Sequence, residues 1–312
     1  MNYLFGPVNS RRLGLSLGVD LLPYKTCTLN CIYCECGDTT NLVRERAEYV
    51  PTRDVIRELD VYLSKNPELD FVTFSGSGEP TMHTGIGEII DFLKDRFPQY
   101  KVAVLTNSTL LNDSEVRREI VRADVVVPSV DAVGGEAYRR ICRPCAGIDP
   151  EALIQGLAEF RKEFLGRIIA EVFIVPGVND SEEELLRIRT ALLAFSPDAI
   201  QLNSIDRPGC VDWIRKPTEE EIARIRRHLD GLIVQVVERK AADPSAYTLQ
   251  DEPMLAIRSL LKRKKKTLDD ICVTLGMRKG DAAKILSFMS AEGVILPSKM
   301  GDETFYSLAG RN

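Results

Sequence analysis

Apolar, β-rich runs alternate with amphipathic stretches through the first two thirds of the chain. The apolar runs are nearly continuous, as in strands that are covered on both faces, and each is followed by a helical period with a capping residue at or near its start. An alternating βα chain forms an α/β fold with a parallel sheet or barrel, and the loops after its strands gather on one face. The predicted strands are 13–22, 71–76, 101–107, 123–131, 168–177 and 199–205, and the predicted helices between them are 52–66, 86–97, 113–123, 150–165 and 181–195.

Composition narrows the class of protein further. The chain has 312 residues, 44% of them hydrophobic, and no run approaches the ~18 uninterrupted apolar residues of a membrane span. Two early arginines interrupt the apolar core that a signal peptide requires. We therefore expect a cytoplasmic protein with no membrane partner. In a reducing cytoplasm its eight cysteines favour metal or redox chemistry over disulfides.

A second module is expected at the C-terminus. Residues 251–312 hold eleven Lys and Arg against eight Asp and Glu, whereas the whole chain has a net charge of -5. Their pattern predicts three helices, the first at 251–262, and then a hairpin that turns at Met300 to Asp302. This order resembles a winged helix-turn-helix domain. The predicted domains are therefore 1–240 and 251–312.

The most informative motif is a group of three cysteines, Cys27, Cys31 and Cys34, directly after the first predicted strand. Three thiolates at this C-x3-C-x2-C spacing can hold three irons of a 4Fe-4S cluster, which leaves the fourth iron without a protein ligand and open for binding. The alternative is a zinc knuckle that adds Cys36 as its fourth ligand.

The cysteine motif, with Tyr33 just before its last cysteine and a six-fold βα chain after it, resembles the radical S-adenosylmethionine (SAM) superfamily. The resemblance implies a partial (βα)6 TIM-like barrel over residues 1 to about 240. It also implies an enzyme whose open iron chelates the methionine end of SAM. Reductive cleavage would give a 5'-deoxyadenosyl radical that abstracts hydrogen from a substrate, with a flavodoxin or ferredoxin as electron donor.

Polar residues at the carboxyl ends of the predicted strands extend the resemblance. Ser77-Gly78-Glu79-Pro80 is similar to the family's Gly-Gly-Glu motif, which receives the methionine ammonium, and glycine permits close backbone approach. Polar ends of the following strands would reach the carboxylate or ribose of SAM. The SAM-binding residues implied are Tyr33, Ser77, Gly78, Glu79, Asn107, Ser129, Asp131 and Asn203.

Within the superfamily, the order of FGPVNSRRLGLSLGVDLLP, GSGEPT, NDSEEE and RPG is similar to the branch of the wyosine-synthesis enzymes, which modify tRNA. Those enzymes carry further cysteines ahead of the cluster motif, and here none precedes Cys27. The implied substrate is a macromolecule, with tRNA or another RNA ahead of a peptide or protein.

Four further cysteines, Cys36, Cys142, Cys145 and Cys210, are expected on loops at the same face and are candidates for an auxiliary iron-sulfur cluster. Scattered thiols, or a redox pair of Cys142 and Cys145, are the alternatives. Arginines beside these cysteines, such as Arg139 and Arg143, are candidates to receive a phosphate or carboxylate of the substrate.

A different class of function also fits the sequence. An iron-sulfur redox sensor would report oxygen to the C-terminal domain and act as a transcription regulator. The strand-end motifs favour the enzyme, because a sensor needs no site for the ammonium group of a cofactor. No side chain is assigned a catalytic role from the sequence.

Overall fold

Eight strands form one sheet in the order β1-β2-β5-β6-β7-β8-β9-β10. This computed structural model describes residues 2–10, 12–237, 253–262 and 264–310. Strands β1 and β2 are antiparallel, and every later neighbour in the sheet is parallel. The strands are β1 Leu4–Ser10, β2 Gly14–Val19, β5 Phe71–Phe74, β6 Lys101–Thr106, β7 Val125–Pro128, β8 Arg167–Phe173, β9 Ala199–Asn203 and β10 Val234–Val236.

Six of these strands, β2 and β5 to β9, overlap the six runs predicted from the sequence, and β8 begins one residue before its run, at Arg167. Strand β1 was not predicted, because its Gly6-Pro7 pair is typical of a turn. Proline is tolerated there because β1 is an edge strand of the sheet and pairs on one side only, with β2. The short strands β3 Thr26–Cys27 and β4 Asn41–Leu42 form a separate parallel pair that brackets the cysteine loop.

Helices cover the parallel strands in βα order. Strands β7 and β9 are buried along their whole length, which explains their continuous apolar sequence. Asp113, Asp149, Ser181 and Thr218 cap four of the helices through their side chains. The helices are α1 Thr52–Leu63, α2 Ile86–Arg96, α3 Ser114–Ile120, α4 Gly135–Cys142, α5 Pro150–Glu163, α6 Glu182–Phe195 and α7 Glu219–His228.

The C-terminal unit consists of three helices and a three-stranded sheet of order β11-β13-β12. It has its own apolar core, in which Ile257, Ile271, Leu286 and Ile295 are buried together. The predicted domain limits 240 and 251 lie outside the described residues, and the winged-helix assignment stays a prediction. The elements are α8 Pro253–Leu261, β11 Lys266–Thr267, α9 Leu268–Leu275, α10 Lys279–Ala291, β12 Ile295–Met300 and β13 Glu303–Leu308.

An ion network joins this unit to the cysteine loop. The buried guanidinium of Arg207 donates from Nε to Asp270 Oδ2 at 3.2 Å, and from Nη1 to Glu35 Oε2 at 3.0 Å. Glu35 stands between Cys34 and Cys36 in the chain, and Lys264 Nζ lies 3.5 Å from its Oε2. The C-terminal unit is thus bound to the loop that carries the cysteines.

Replacing Arg207 tests this connection. Arg207→Ala removes the cation from between two largely buried carboxylates, so we expect a loss of about 3–5 kcal/mol in the free energy of unfolding. Urea unfolding gives this loss, and amide exchange over 264–275 shows where the structure loosens. Arg215→Ala, which removes an exposed Arg–Glu pair with Glu221, should cost no more than about 1 kcal/mol. Equal losses in the two variants would contradict the network.

Candidate functional site

The three motif cysteines lie on one loop. Cys27 ends β3, and the loop then turns so that the N–H of Cys34 donates to the carbonyl of Cys31 at 3.1 Å. All three are free thiols and partly exposed. Backbone bonds anchor the loop, since Ile32 N donates to Ile141 O and Cys210 N donates to Ile32 O, each at 3.0 Å.

A buried cation accompanies these thiols. The Lys25 ammonium donates to Gly37 O at 2.8 Å and also lies against the Cys34 sulfur. A hydrogen bond from the Cys36 thiol, together with the charge of Lys25, holds the pKa of Cys34 well below its usual range. Burial and the nearby Glu79 raise the pKa of Cys27 to about 12. Lys25 therefore favours thiolate at this loop, the form that binds iron.

The Ser77-Gly78-Glu79 segment follows β5 and lies directly against the strand that leads to Cys27. Asp20, just after β2, accepts hydrogen bonds from both the N–H and the Oγ of Ser77, the latter at 2.8 Å. A Cβ on Gly78 would stand 1.7 Å from the carbonyl oxygen of Thr26. Only glycine permits this approach.

Glu79 is a buried carboxylate that accepts several hydrogen bonds, and its residue is only 2% exposed. Oε1 accepts from Thr81 N, Thr81 Oγ1 and Thr106 Oγ1 at 3.1, 2.6 and 2.7 Å, and Oε2 accepts from Asn107 N at 2.6 Å. Burial raises the pKa of Glu79 while these bonds oppose the rise. Four donors match the roughly four acceptor positions of a carboxylate, so an ammonium group would have to share one. Its role toward SAM stays a prediction.

Asn107 connects the end of β6 to the cysteine loop. Its Nδ2 donates to Thr28 Oγ1 at 2.8 Å and lies 3.5 Å from the Cys27 sulfur. Its Oδ1 accepts from the N–H and the hydroxyl of Thr109 at 3.1 and 2.7 Å. The amide is therefore fixed beside the first cysteine.

Asp131 holds Tyr33 in place from the end of β7. The Tyr33 hydroxyl donates to Asp131 Oδ2, and Phe173 N donates to Oδ1 at 2.8 Å. The Tyr33 ring stacks on Phe173, with 3.8 Å between ring centroids and an interplanar angle of 10°. Burial raises the pKa of Asp131 to about 7, although both hydrogen bonds oppose the rise. Ser129, two residues earlier, is partly exposed at the same strand end.

Asn203 ends β9 and belongs to a connected row of polar side chains. Its Nδ2 donates to Glu171 Oε2 at 3.3 Å, and Glu171 in turn pairs with the guanidinium of Arg12. The structure thus brings the strand-end residues Glu79, Asn107 and Asp131 into contact with the cysteine loop or its neighbours. It places Asn203 on Glu171 instead.

The four other cysteines surround the same loop. Cys210 Sγ lies 3.3 Å from the carbonyl of Cys31, Cys36 Sγ lies 3.4 Å from that of Gly76, and the Cys142 thiol is hydrogen bonded to the Cys31 thiol. Cys142 ends α4, which the sequence pattern had suggested as a loop because the helix is short and opens on two glycines. Cys145 N donates to the carbonyl of Thr28 on the same loop at 2.9 Å, and Cys145 also lines an open cavity.

The donor set is three thiols on one loop beside a buried lysine that favours thiolate. Thiolate is the ligand that iron-sulfur clusters take, and a cubane spreads three thiolates over three irons. Zinc would need four ligands around a single centre. The chemistry of Cys27, Cys31 and Cys34 suits a 4Fe-4S cluster, and their assignment as its ligands stays a prediction. An auxiliary cluster on Cys36, Cys142, Cys145 and Cys210 stays a prediction.

Two site residues were missed from the sequence. Asp20 lies inside the predicted strand 13–22, whereas β2 ends at Val19, so the residue could be recognised as a strand-end residue only once the end of β2 was known. Lys25 carries no such signal, because a lysine is ordinarily exposed and only the folded loop buries it.

The family model described as the radical SAM superfamily matches residues 21–188. The UPF0026 protein of Synechocystis sp. is 36% identical over 220 residues, which are 70% of this chain and 78% of that protein. The protein named GTPase Obg from Brachyspira hyodysenteriae is 32% identical over 94% of this chain, and the chain spans 43% of its length. This chain belongs to the radical SAM superfamily and has UPF0026 proteins as relatives.

Solved structures with the same fold have low sequence identity. TYW1 with a bound lysine-pyruvate adduct has a TM-score of 0.51 and 20% identity, and the alignment covers 72% of this chain and 75% of TYW1. SuiB of Streptococcus suis, bound to its precursor peptide SuiA, has a TM-score of 0.53 and 13% identity, covering 70% of this chain and 48% of SuiB.

Superfamily membership implies an enzyme that uses a 4Fe-4S cluster and SAM. The α/β fold, with its mostly parallel sheet, agrees with this family. No helix among the described residues has the length and hydropathy needed to cross a bilayer.

Gly78→Ala tests the close approach at the cysteine strand. The new methyl group meets the Thr26 carbonyl, so β3 must shift and Cys27 with it. We expect a loss of about 1–3 kcal/mol in stability and reduced iron per chain after anaerobic reconstitution. The control is Gly280→Ala in α10, where nothing lies within 4 Å and stability should rise slightly. Unchanged iron content in Gly78→Ala would contradict the geometry.

The raised pKa of Asp131 predicts that the stability of the fold depends on pH. Its folded pKa of about 7 exceeds the ordinary aspartate value of about 3.8, so between about pH 4 and pH 7 the native state keeps a proton that the unfolded state has released. The contribution of Asp131 to the free energy of unfolding therefore falls as pH rises, by roughly 4 kcal/mol between about pH 4 and pH 7.

The measurement is urea unfolding of the metal-free protein at several pH values, compared with Asp131→Asn, which does not titrate. The unfolding free energy of wild type minus that of the variant should fall by roughly 4 kcal/mol from pH 4 to pH 7. Parallel curves would contradict the assignment.

Proposed function

We propose that this protein is a radical SAM enzyme with a partial (βα)6 barrel that acts on a macromolecule, with RNA ahead of peptide or protein. Cys27, Cys31 and Cys34 would hold the 4Fe-4S cluster. When bound, cluster and SAM together supply a 5'-deoxyadenosyl radical that abstracts hydrogen. One observation carries the proposal: the thiol loop meets the ends of β5, β6 and β7 through Gly78, Asn107 and the Tyr33–Asp131 bond.

The chain's own residues would perform separate tasks around SAM. Lys25 stabilises thiolate, Gly78 brings backbone beside the cysteine strand, and Tyr33, stacked on Phe173, forms a flat apolar wall. The remaining SAM contacts are assigned by position at the strand ends. They are Ser77, Glu79, Asn107, Ser129, Asp131 and Asn203.

An RNA substrate is supported by the loop after β9. Trp213 on this loop is 56% exposed, three residues from Cys210, whose sulfur lies against the cysteine loop. An exposed aromatic ring beside an active site is a stacking platform for an unpaired base. We assign cytoplasmic location and a flavodoxin or ferredoxin as electron donor on the family resemblance.

The C-terminal unit is proposed to be a winged helix that docks a partner or substrate. The order of its helices and strands supports this assignment. Sequence-specific DNA binding is less favoured, because Lys279 at the start of α10 already pairs with Asp269 at 2.7 Å. Base-reading side chains such as Asn and Gln are also absent from the sequence of α10.

A redox-sensing regulator is a second candidate, favoured by one observation. Glu35, inside the cysteine loop, and Asp270, in the C-terminal unit, share the guanidinium of Arg207. A change in the conformation of the cysteine loop would thus act on the C-terminal unit through Arg207.

Anaerobic turnover separates the two candidates. Reconstituted protein with SAM and dithionite should release 5'-deoxyadenosine, and Cys27→Ser, Cys31→Ser and Cys34→Ser should each reduce release to background together with iron content. Cys272→Ala, in the core of the C-terminal unit, should retain both. Absence of 5'-deoxyadenosine from iron-loaded wild type, with tight operator binding, would favour the sensor.

A further inference from the structure

A cavity of about 570 Å³ lies between α4, the segment after it and the cysteine loop. Its volume is within the usual range for sites that hold a small organic molecule. Asn30, between the first two motif cysteines, lines the cavity, and so does Cys145. The cavity therefore adjoins the proposed SAM site. The proposed function gives it no ligand.

The cavity joins apolar walls to a cationic rim. Leu42, Ile148 and Pro150 provide apolar surface, while Arg139 and Arg143 stand one helical turn apart on α4 and its C-cap. Among the described residues, neither guanidinium has an ion pair or a hydrogen bond with an acidic side chain. Arg143 also adopts a left-handed backbone, φ 45°, where glycine is the usual residue. Two unpaired guanidinium groups above an apolar pocket suit an anionic group attached to a flat or carbon-rich body.

Tyr138 forms the wall between this cavity and the strand ends. It lines the 570 Å³ cavity and also a second, small cavity bounded by Asn107, Ser129 and Asp131. The residue is 3% exposed, and within the described part of the chain no group hydrogen bonds to its hydroxyl. A buried hydroxyl without a partner is costly, so a bound molecule is expected to supply one.

We infer that this cavity binds a nucleotide through its phosphate, with Arg139 and Arg143 on the phosphate and the apolar walls on the rest of the nucleotide. The Tyr138 hydroxyl hydrogen bonds to the bound substrate at the boundary with the SAM site. Phosphate is favoured over carboxylate because two adjacent guanidinium groups offer two bidentate forks to one multiply charged group. The inference rests on the proposed function, since it names the substrate class for that reaction.

Equilibrium dialysis of the anaerobically reconstituted full chain tests this inference. The probes are the four ribonucleoside 5'-monophosphates, the four nucleosides, a short single-stranded RNA and an oligoglutamate peptide. Arg139→Gln and Arg143→Gln should each weaken binding of a monophosphate about tenfold, while nucleosides bind weakly and equally to all variants. The matched control is Arg118→Gln, an exposed arginine on α3, which should leave monophosphate binding unchanged.

Tyr138→Phe should weaken monophosphate binding severalfold and leave its dependence on salt concentration unchanged. Loss of an arginine should reduce that salt dependence. RNA bound more tightly than the monophosphates identifies an RNA chain as the source of the phosphate, and the reverse identifies a free nucleotide. The inference is overturned if monophosphates bind no better than nucleosides, if the control weakens binding equally, or if only the acidic peptide binds.

Release of 5'-deoxyadenosine by the same preparations separates this inference from the proposed function. Wild type that releases none contradicts the proposed function itself. Variants that cleave SAM normally, yet bind nucleotide like wild type, contradict only the assignment of the cavity.

Discussion

Backbone hydrogen bonds from separate segments of the chain determine where the three motif sulfurs lie. The amide of Ile32 bonds to the end of α4, its carbonyl accepts from Cys210, and the carbonyl of Cys27 accepts from Val43 after β4. A loop of this kind has no repeating pattern of its own, so each buried backbone group depends on a distant partner. The site therefore depends on the whole sheet, because the loop takes its hydrogen-bond partners from α4, from the residue after β4 and from the segment after β9.

Buried carboxylates provide a second level of organisation around that loop. Asp20, Glu79 and Asp131 each end or follow a strand, and each accepts hydrogen bonds from a neighbouring strand end or from the loop. A buried acid is costly unless its acceptor positions are filled, and the local hydroxyl and amide donors fill them here. These acids hold the strand ends at fixed positions relative to the cysteines. Glycine at 78 then allows main chain, with no side chain, to lie beside β3.

The parallel strands and the three cysteines were predictable because their signals are local: apolar runs and a fixed spacing within eight residues. Contacts between distant residues were not, as with Tyr33 and Asp131, 98 positions apart, or Arg207 and Glu35, 172 apart. Helix α4 was missed because two glycines open it, and β1 because Gly6-Pro7 is typical of a turn. Burial of Lys25 could not be predicted either, because nothing in the sequence distinguishes a lysine that the fold buries from an exposed one.

The shared guanidinium of Arg207 has a thermodynamic consequence. Because Glu35 and Asp270 bind one guanidinium at the same time, a molecule that binds the C-terminal unit and displaces Asp270 would leave Arg207 paired with Glu35 alone and so alter the free energy of the segment between Cys34 and Cys36. Coupling between two binding equilibria is reciprocal, so a metal bound at the loop and a molecule bound at the C-terminal unit would change each other's affinity by the same factor. The shared guanidinium would be the route of that coupling.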